Sequence, residues 1–308
     1  MSITLRVPAK VNPQLRAGPL REDGYHDITM VYQAISLYDT LRITHNPDGP
    51  TVRVLGTDSD RVPVDERNIV IKAARLLGGR VGVEPRLHFE LEKQIPAEAG
   101  LGGGSADAAA ALVGCNSLWK AGLSDEELME IGAHVGEDVP FFIKGMMALN
   151  LGHKQPLTTL EMTNGRTWHW VLGIPHAGLA TKEVFRKYDE LLAANSSNEE
   201  DYLCRRQGCI DVPWGTSPPQ DLLPQLENDL EYPSTQLLPD IAVALQAGRD
   251  SGAVKSLMSG SGSTCAFLTA DESHARSLMG SLQSRSIFRR VIMVSGPVEG
   301  VKIVENNQ

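Results

Sequence analysis

The sequence lacks an excess of positive charge, a long apolar run and a leader-like amino terminus. Its 29 Lys and Arg are outnumbered by 38 Asp and Glu, which leaves a net charge of −9. Nucleic-acid-binding domains are usually basic, so this balance argues against nucleic acid as a partner. No segment approaches the roughly 18 consecutive apolar residues of a membrane span, and the amino terminus lacks a charged region followed by an apolar run. We expect a cytoplasmic protein without a membrane partner.

The four cysteines do not form the paired Cys-x-x-Cys motifs of a zinc site, so no metal-ligating residues are assigned. Cys115 falls in an apolar helical pattern and is predicted to lie in the core. Cys204 and Cys209 lie in a polar stretch and are predicted to be free thiols, as in a reducing cytoplasm.

The order of the patterns predicts an α+β fold with two domains, since strand and helix signals alternate without strict βαβ order. We place the domains at 1–160 and 161–308. Alternating apolar residues predict strands at 3–7 (ended by Pro8), 28–44, 87–91 and 167–174. Helices are predicted at 68–77, at 105–120, and from a Ser124–Glu127 capping box to about Gly136. The Asn-, Ser-, Gly- and Pro-rich stretch 193–222 is predicted to be a loop.

The segment from Ile95 to Ala110 combines a glycine-rich turn with an alanine-rich helix pattern. Glycine lets a backbone approach a ligand closely, and a helix start offers free N–H groups and partial positive charge. The segment therefore predicts a phosphate cradle, although a simple capping turn has the same pattern. It is neither a Walker A loop nor a dinucleotide fingerprint, because both spacings fail. Its candidate nucleotide-binding residues are Pro96, Gly100, Leu101, Gly102, Gly103, Gly104 and Ser105.

Lys10 and Asp138 are candidates for the chemistry of phosphoryl transfer. Lys10 follows the first predicted strand, and Asp138 lies between a helix end and Pro140. Transfer requires charge neutralisation and a group that orients or deprotonates the attacking hydroxyl, which Lys10 and Asp138 could supply. A surface lysine and a turn-forming aspartate are the alternatives.

Several short motifs, in this order along most of the chain, resemble those of the GHMP-superfamily kinases. They are Pro8-Ala9-Lys10-Val11-Asn12, Asp23-Gly24-Tyr25-His26, Gly102-Gly103-Gly104-Ser105, Gly136-Glu137-Asp138-Val139-Pro140-Phe141-Phe142, Asn228-Asp229-Leu230-Glu231 and Ser259-Gly260-Ser261-Gly262. The second and fifth motifs are much more specific than the glycine loop alone.

The resemblance implies a two-domain kinase, a monomer or homodimer, with its active site in the cleft between the domains. ATP with Mg²⁺ would phosphorylate the 2-hydroxyl of a small-molecule substrate, a cytidine diphosphate-linked methylerythritol of non-mevalonate isoprenoid synthesis. Asp138 then matches the catalytic base, which also contacts the substrate, and Lys10 matches its partner. The other implied contacts are Asn12, Tyr25 and His26 for the substrate, and Asn68 and Lys93 near the adenine end of ATP.

Two segments depart from the pattern of the family. Glu98 lies inside the phosphate loop, where a carboxylate would repel a triphosphate, and the 145–155 segment lacks several of the expected glycines. These departures favour a catalytically silent relative that binds a nucleotide or a CDP-linked ligand, whereas the retained Lys10 and Asp138 pair opposes that alternative. A kinase for another small alcohol is the further alternative.

Overall fold

In a computed structural model that describes residues 2–152, 155–163, 166–195 and 212–307, the chain forms two sheets with helices packed against them. The strands are β1 (Ser2–Leu20), β2 (His26–His45), β3 (Thr51–Gly56), β4 (Leu87–Lys93), β5 (Met147–Leu151), β6 (Thr158–Thr159), β7 (Trp168–Pro175), β8 (Glu227–Asn228), β9 (Lys255–Met258), β10 (Cys265–Thr269), β11 (Phe288–Gly296) and β12 (Lys302–Asn307). The helices are α1 (Ile69–Val81), α2 (Gly103–Leu118), α3 (Asp125–Val135), α4 (Val139–Lys144), α5 (Thr181–Asn195), α6 (Glu231–Leu237), α7 (Asp240–Asp250) and α8 (Glu272–Gln283). Short 3₁₀ helices lie at Ser59–Arg61 and Pro219–Gln225.

The first sheet joins strands from both ends of the chain. Its order is β12-β1-β2-β4-β3, while β5 and β8 pair with β2 and β1, and β6 pairs with β5. The second sheet is antiparallel, in the order β11-β7-β10-β9. The α+β class is therefore confirmed, and the domain boundary at residue 160 stays a prediction.

The prediction that Pro8 ends the first strand is wrong. β1 continues to Leu20 and is buried on both faces from Val7 to Gly18. The register with β2 shifts after Pro8 and again between Val11 and Gln14. Such irregularities let a strand continue past prolines, which cannot donate to the ladder. Lys10 therefore lies within a strand and not after one.

The structure confirms the predicted strands at 28–44, 87–91 and 167–174 as β2, β4 and β7. The helix predictions correspond to α1, α2 and α3, and α3 begins with the expected capping box at Ser124. The loop prediction for 193–222 is wrong at both ends, because α5 extends to Asn195 and a 3₁₀ helix begins at Pro219. Residues 196–211, with Cys204 and Cys209, lie outside the described residues.

The helix α2 lies at the centre of the first half of the fold. Its alanines from Ala108 to Ala111 are fully buried, and so is Cys115, as predicted. Small residues let the helix approach the sheet closely: a Cβ on Gly114 would lie 2.5 Å from the Ile43 side chain and 2.8 Å from that of Leu5. Among the described helices, none is both long and apolar enough to cross a membrane.

The two sheets meet where β2 contacts β11 and β7. A Cβ on Gly296 would lie 2.5 Å from the carbonyl oxygen of Ala34, so the two backbones are nearly in contact. The Trp170 indole donates to the Gln33 side chain at 2.7 Å across the same junction. Buried polar groups need such partners, so these contacts specify how the sheets sit together.

Two helical glycines give a matched test of this packing. A Cβ on Gly248 of α7 would lie 2.2 Å from the Phe267 ring, whereas nothing lies within 4 Å of one on Gly280 of α8. Overpacking costs about 1–3 kcal/mol, and exposed helical Gly→Ala changes gain about 0.5–1 kcal/mol. We expect Gly248→Ala to lower the free energy of unfolding in urea and Gly280→Ala to raise it. Two changes of the same sign would contradict this packing.

Candidate active site

A cleft of about 870 Å³ lies where the first sheet, the glycine-rich loop and the loop after β9 meet. This volume is at the upper end for small-molecule sites. Most of the residues singled out from the sequence line it: Lys10, Asn12, Asn68, Lys93, Pro96, Gly100, Leu101, Gly102, Gly103, Gly104, Ser105 and Asp138. Tyr25 and His26 are not among its lining residues.

The glycine-rich loop enters α2 through two left-handed residues. Gly100 and Gly102 have φ values of 74° and 73°, a region that favours glycine. A Cβ on Gly102 would also lie 2.5 Å from the Phe142 ring. Gly103 and Gly104 begin α2 and line the cleft, so the free N–H groups of the helix start lie at its edge. This arrangement fits a phosphate-binding helix start.

The 259–264 loop supports the phosphate loop from the other side. It connects the antiparallel strands β9 and β10, and it also contacts the phosphate loop, where the Ser259 hydroxyl donates to the Gly100 carbonyl at 3.1 Å. The Asn228 amide donates to the carbonyls of Met258 and Gly260, both at 2.7 Å. Asn228 thus fixes the 259–264 loop, which in turn contacts the phosphate loop through Ser259.

Lys10 and Asp138 face each other in the cleft. The Lys10 ammonium lies 4.0 Å from Oδ2 of Asp138 and donates to Oδ1 of Asn12 at 2.5 Å. Asp138 directly precedes α4, and its Oδ1 accepts a hydrogen bond from the Tyr32 hydroxyl at 2.8 Å. Oδ1 is held by Tyr32, while Oδ2 faces Lys10.

Burial shifts two of these groups. It lowers the pKa of Lys10, an effect that the Asp138 carboxylate opposes. It also raises the pKa of Tyr32, to which the neighbouring Asp138 adds, so the phenol stays protonated and able to donate. The Asp138 carboxylate therefore favours the charged form of Lys10.

Beneath the phosphate loop, Lys93 is engaged by two buried carboxylates. Its ammonium contacts Asp39 and lies 2.5 Å from Oδ2 of Asp107. Asp39 also accepts the backbone N–H groups of Gln94 at 2.6 Å and Ile95 at 2.9 Å, where the loop begins. Because Asp107 lies on α2, this triad joins the two ends of the loop. Lys93 lines the cleft, but its ammonium is paired with the Asp39 and Asp107 carboxylates.

The charges of the triad do not balance if both carboxylates ionise. Burial raises the pKa of Asp107 well above its usual range, despite the opposing effect of Lys93. Burial also lowers the pKa of Lys93, but Asp107 and Asp39 outweigh it, so the pKa is raised overall. Burial thus favours the neutral form of Asp107, which reduces the negative charge beneath the phosphate loop.

Lys93→Met should destabilise the protein far more than Asp107→Asn. Removing the cation leaves the buried Asp39 carboxylate without its ion-pair partner, which costs about 3–5 kcal/mol. Asparagine resembles a protonated Asp107 and keeps an acceptor for Lys93, so its cost should be about 1 kcal/mol or less. Urea unfolding of both variants measures this difference. Equal losses would contradict a neutral Asp107.

Tyr25 and His26, the two residues expected to bind cytidine, differ in their burial. The buried His26 ring donates from Nδ1 to the Gly18 carbonyl at 2.8 Å and stacks on Phe185 with centroids 4.9 Å apart. Phe185 itself lines the cleft. Tyr25 follows a turn and is 63% exposed. The structure thus places Phe185, from α5, between His26 and the cleft.

Glu98 lines the cleft, and its side chain is directed largely to solvent. Its carboxylate is 72% exposed and lies 4.0 Å from Arg61, which offsets its charge. Glu98 has a left-handed φ of 53°, and so does Met146 at 58°, in the other segment that departs from the family pattern. Both side chains occupy backbone positions that favour glycine.

Glu98→Gln should change the KM for ATP by less than about fivefold, because exposed ion pairs contribute only about 0–1 kcal/mol. Initial rates at varied ATP concentration measure this effect. A large fall in KM would show instead that the carboxylate repels the nucleotide.

Family models match the chain at the segments that form this cleft. The model of the GHMP kinases N terminal domain matches residues 68–146, which contain the phosphate loop and Asp138. The model of the GHMP kinases C terminal matches residues 220–286, which contain Asn228 and the 259–264 loop. Together with full-length relatives, these matches show that the chain belongs to the GHMP kinase family and is a kinase.

Curated relatives that match over nearly the full chain carry one name. The 4-diphosphocytidyl-2-C-methyl-D-erythritol kinase of Salinispora tropica is 40% identical, over 98% of this chain and 94% of its own. That of Mycolicibacterium smegmatis is 39% identical, over 98% and 92%. A crystal structure of 4-(cytidine 5'-diphospho)-2C-methyl-D-erythritol kinase has a TM-score of 0.72 at 28% identity, covering 96% of this chain and 98% of its own. Homoserine kinase from Cytophaga hutchinsonii shares the fold, with a TM-score of 0.75 at 17% identity, over 98% and 97%.

Sequence reasoning missed Tyr32, Asp39, Asp107 and Phe185. Tyr32 and Asp39 belong to β2, which was predicted only as a strand, and Asp107 lies within the alanine-rich helix pattern. A charged residue inside a buried pattern is the signal that could have identified Asp107, since such residues are almost never fully buried unpaired. For Phe185, no motif marks its position.

Proposed function

We propose that this kinase transfers the γ-phosphate of ATP to the 2-hydroxyl of 4-diphosphocytidyl-2-C-methyl-D-erythritol, a step of non-mevalonate isoprenoid precursor synthesis. The Lys10–Asp138 pair beside the phosphate loop is the observation that carries this proposal. The names of relatives that are about 40% identical over nearly the whole chain support the choice of substrate.

In this proposal, Asp138 accepts the proton of the attacking hydroxyl through Oδ2. The Tyr32 hydrogen bond to Oδ1 fixes the orientation of the carboxylate, so Oδ2 stays directed at Lys10 and the cleft. Lys10 stabilises the charge that develops on the transferred phosphoryl group, and Asn12 holds the ammonium in place. Each group is positioned by a buried partner before the substrate arrives.

ATP would lie along the glycine-rich loop, with its phosphates at the start of α2. Asn68, which precedes α1 and lines the cleft, and Pro96 are its proposed contacts nearer the adenine end. Ser105 and Glu137 also line the cleft and would supply oxygen ligands of the kind that Mg²⁺ prefers. No cluster of three His, Cys, Asp or Glu among the described residues could hold a metal alone. Mg²⁺ would therefore enter with the nucleotide and neutralise its phosphate charge.

The cytidine would bind at the end of the cleft lined by Phe185, Leu15 and Ile28. An exposed face of Phe185 offers a stacking surface for the base, and the ring is fixed from behind by His26. We retain Tyr25 as a second stacking group, because its 63% exposed ring is free to close over a bound base.

Asp138→Asn should abolish phosphoryl transfer and leave ATP binding nearly unchanged. Asparagine has almost the same volume but cannot accept the proton of the hydroxyl. ADP release in a coupled assay measures turnover, and calorimetry measures ATP binding. Asp125→Asn, an exposed change in the first turn of α3, is the matched control. Turnover near the normal rate in Asp138→Asn would exclude Asp138 as the base.

Phe185→Ala should raise the KM for the cytidylyl substrate about tenfold and change the KM for ATP little, since base–aromatic stacking contributes about 1–3 kcal/mol. Tyr25→Ala should act in the same direction. Initial rates with each substrate varied in turn separate these effects. Equal changes in both constants would mean that Phe185 has a structural role only.

A further inference from the structure

Arg289 of the second sheet forms a bidentate ion pair with Asp58. Asp58 lies beside the part of the cleft where ATP is proposed to bind, called here the nucleotide end. Arg289, on β11, donates from both terminal nitrogens to Asp58, with distances of 2.7 and 2.8 Å. The two side chains are 25% and 12% exposed. Such paired, partly buried contacts are geometrically specific and stronger than an ordinary surface ion pair.

Asp58 connects the two walls of the nucleotide end. Its carboxylate also accepts the backbone N–H of Ala97 in the phosphate loop at 3.1 Å. Asp58 itself begins the Ser59–Arg61 turn, which leads to the opposite wall of the cleft at Arg61, Pro63 and Asn68. Asp58 therefore joins both walls, one through its carboxylate and the other through the backbone of the turn that it begins.

The next residue of β11 holds the start of the phosphate loop. Arg290 donates to the Gln94 carbonyl at 2.9 Å and to the Thr57 hydroxyl at 3.3 Å. Gln94 is where Asp39 of the buried triad also binds the loop, through the backbone N–H. The second sheet thus contacts the loop where it begins and, through Asp58, at its midpoint.

The charge on Asp58 is maintained by this contact. The Arg289 hydrogen bonds lower the pKa of Asp58, and the Ala97 N–H and Arg61 act in the same direction. Asp58 therefore stays ionised across the neutral range and able to accept both partners.

We propose that Arg289 and Asp58 are positioning residues for ATP, which couple the second sheet to both walls of the nucleotide end and set the affinity for the nucleotide. This inference rests on the proposed ATP site in this cleft. Neither residue lines the cleft, so they act through the placement of Ala97 and of the Arg61–Asn68 wall. The acceptor end, at Phe185, does not depend on this ion pair.

The test is a double-mutant cycle of Asp58→Asn and Arg289→Gln in the full-length protein. Arg289→Lys tests for rescue of the charge, and Arg285→Gln is the matched control, since Arg285 is exposed and contacts the Ser251 hydroxyl. Binding of a non-hydrolysable ATP analogue is measured by calorimetry, and KM and kcat are measured for both substrates. The thermal unfolding midpoint of each variant establishes that it is folded.

We expect each single variant, and the double variant, to bind the analogue about tenfold more weakly, as for residues that act through one shared contact. The KM for ATP should rise in parallel, while the KM for the cytidylyl substrate and kcat change little. Arg289→Lys should recover part of the affinity, and Arg285→Gln should not differ from the parent.

Unchanged analogue binding in folded Arg289→Gln and Asp58→Asn would overturn the inference, as would equal changes for both substrates. Additive effects in the double variant would also contradict a shared contact. A parent protein that binds the analogue but does not phosphorylate the cytidylyl substrate would refute the proposed acceptor and leave this inference open to the binding measurement.

Discussion

The buried ion triad of Asp39, Lys93 and Asp107 is the interaction on which the rest of the cleft depends. It joins β2, β4 and α2 directly beneath the phosphate loop. Asp39 binds the backbone where the loop starts, and Asp107 lies on the helix that the loop enters. The loop is thus held at both ends by a triad in which Lys93 offsets the negative charge of the carboxylates, as an anion site requires of the groups beneath it. A buried, unpaired charge here would be costly and would also repel the nucleotide.

The catalytic pair is assembled from two elements that are far apart in the chain. Lys10 comes from β1, and Asp138 lies at the start of α4. The backbone N–H of Lys10 donates to the Leu101 carbonyl at 3.0 Å, so a hydrogen bond links the strand directly to the phosphate loop. Tyr32 and Asn12 then orient the carboxylate and the ammonium. Phosphoryl transfer requires that the acceptor hydroxyl and the transferred phosphate be held in fixed positions, and these contacts fix the two side chains that would hold them.

Much of this site could be predicted from the sequence, because its parts are local. The glycine-rich loop, the capping box of α3 and the short motifs around Lys10 and Asp138 are contiguous, and the family models confirm the resemblance. The long course of β1 was not predicted, because a proline usually ends a strand and the register shifts that accommodate it leave no sequence pattern.

Contacts between distant residues could not be predicted in the same way. The partners Asp39 and Asp107 lie 54 and 14 residues from Lys93, and Arg289 lies 231 residues from Asp58. No local periodicity links such positions, and a single charged residue in the sequence does not specify its partner. For this reason the sequence does not indicate that the Lys93 ammonium pairs with the two carboxylates, and its contact with the nucleotide stays a prediction.

The most direct test of the proposed phosphorylation is to identify, by phosphorus and carbon NMR, the product formed from Mg²⁺-ATP and 4-diphosphocytidyl-2-C-methyl-D-erythritol. We expect a new phosphomonoester at the 2-hydroxyl, formed in equal amount with ADP. Binding of both compounds without a phosphomonoester, or ADP released without one, would contradict it.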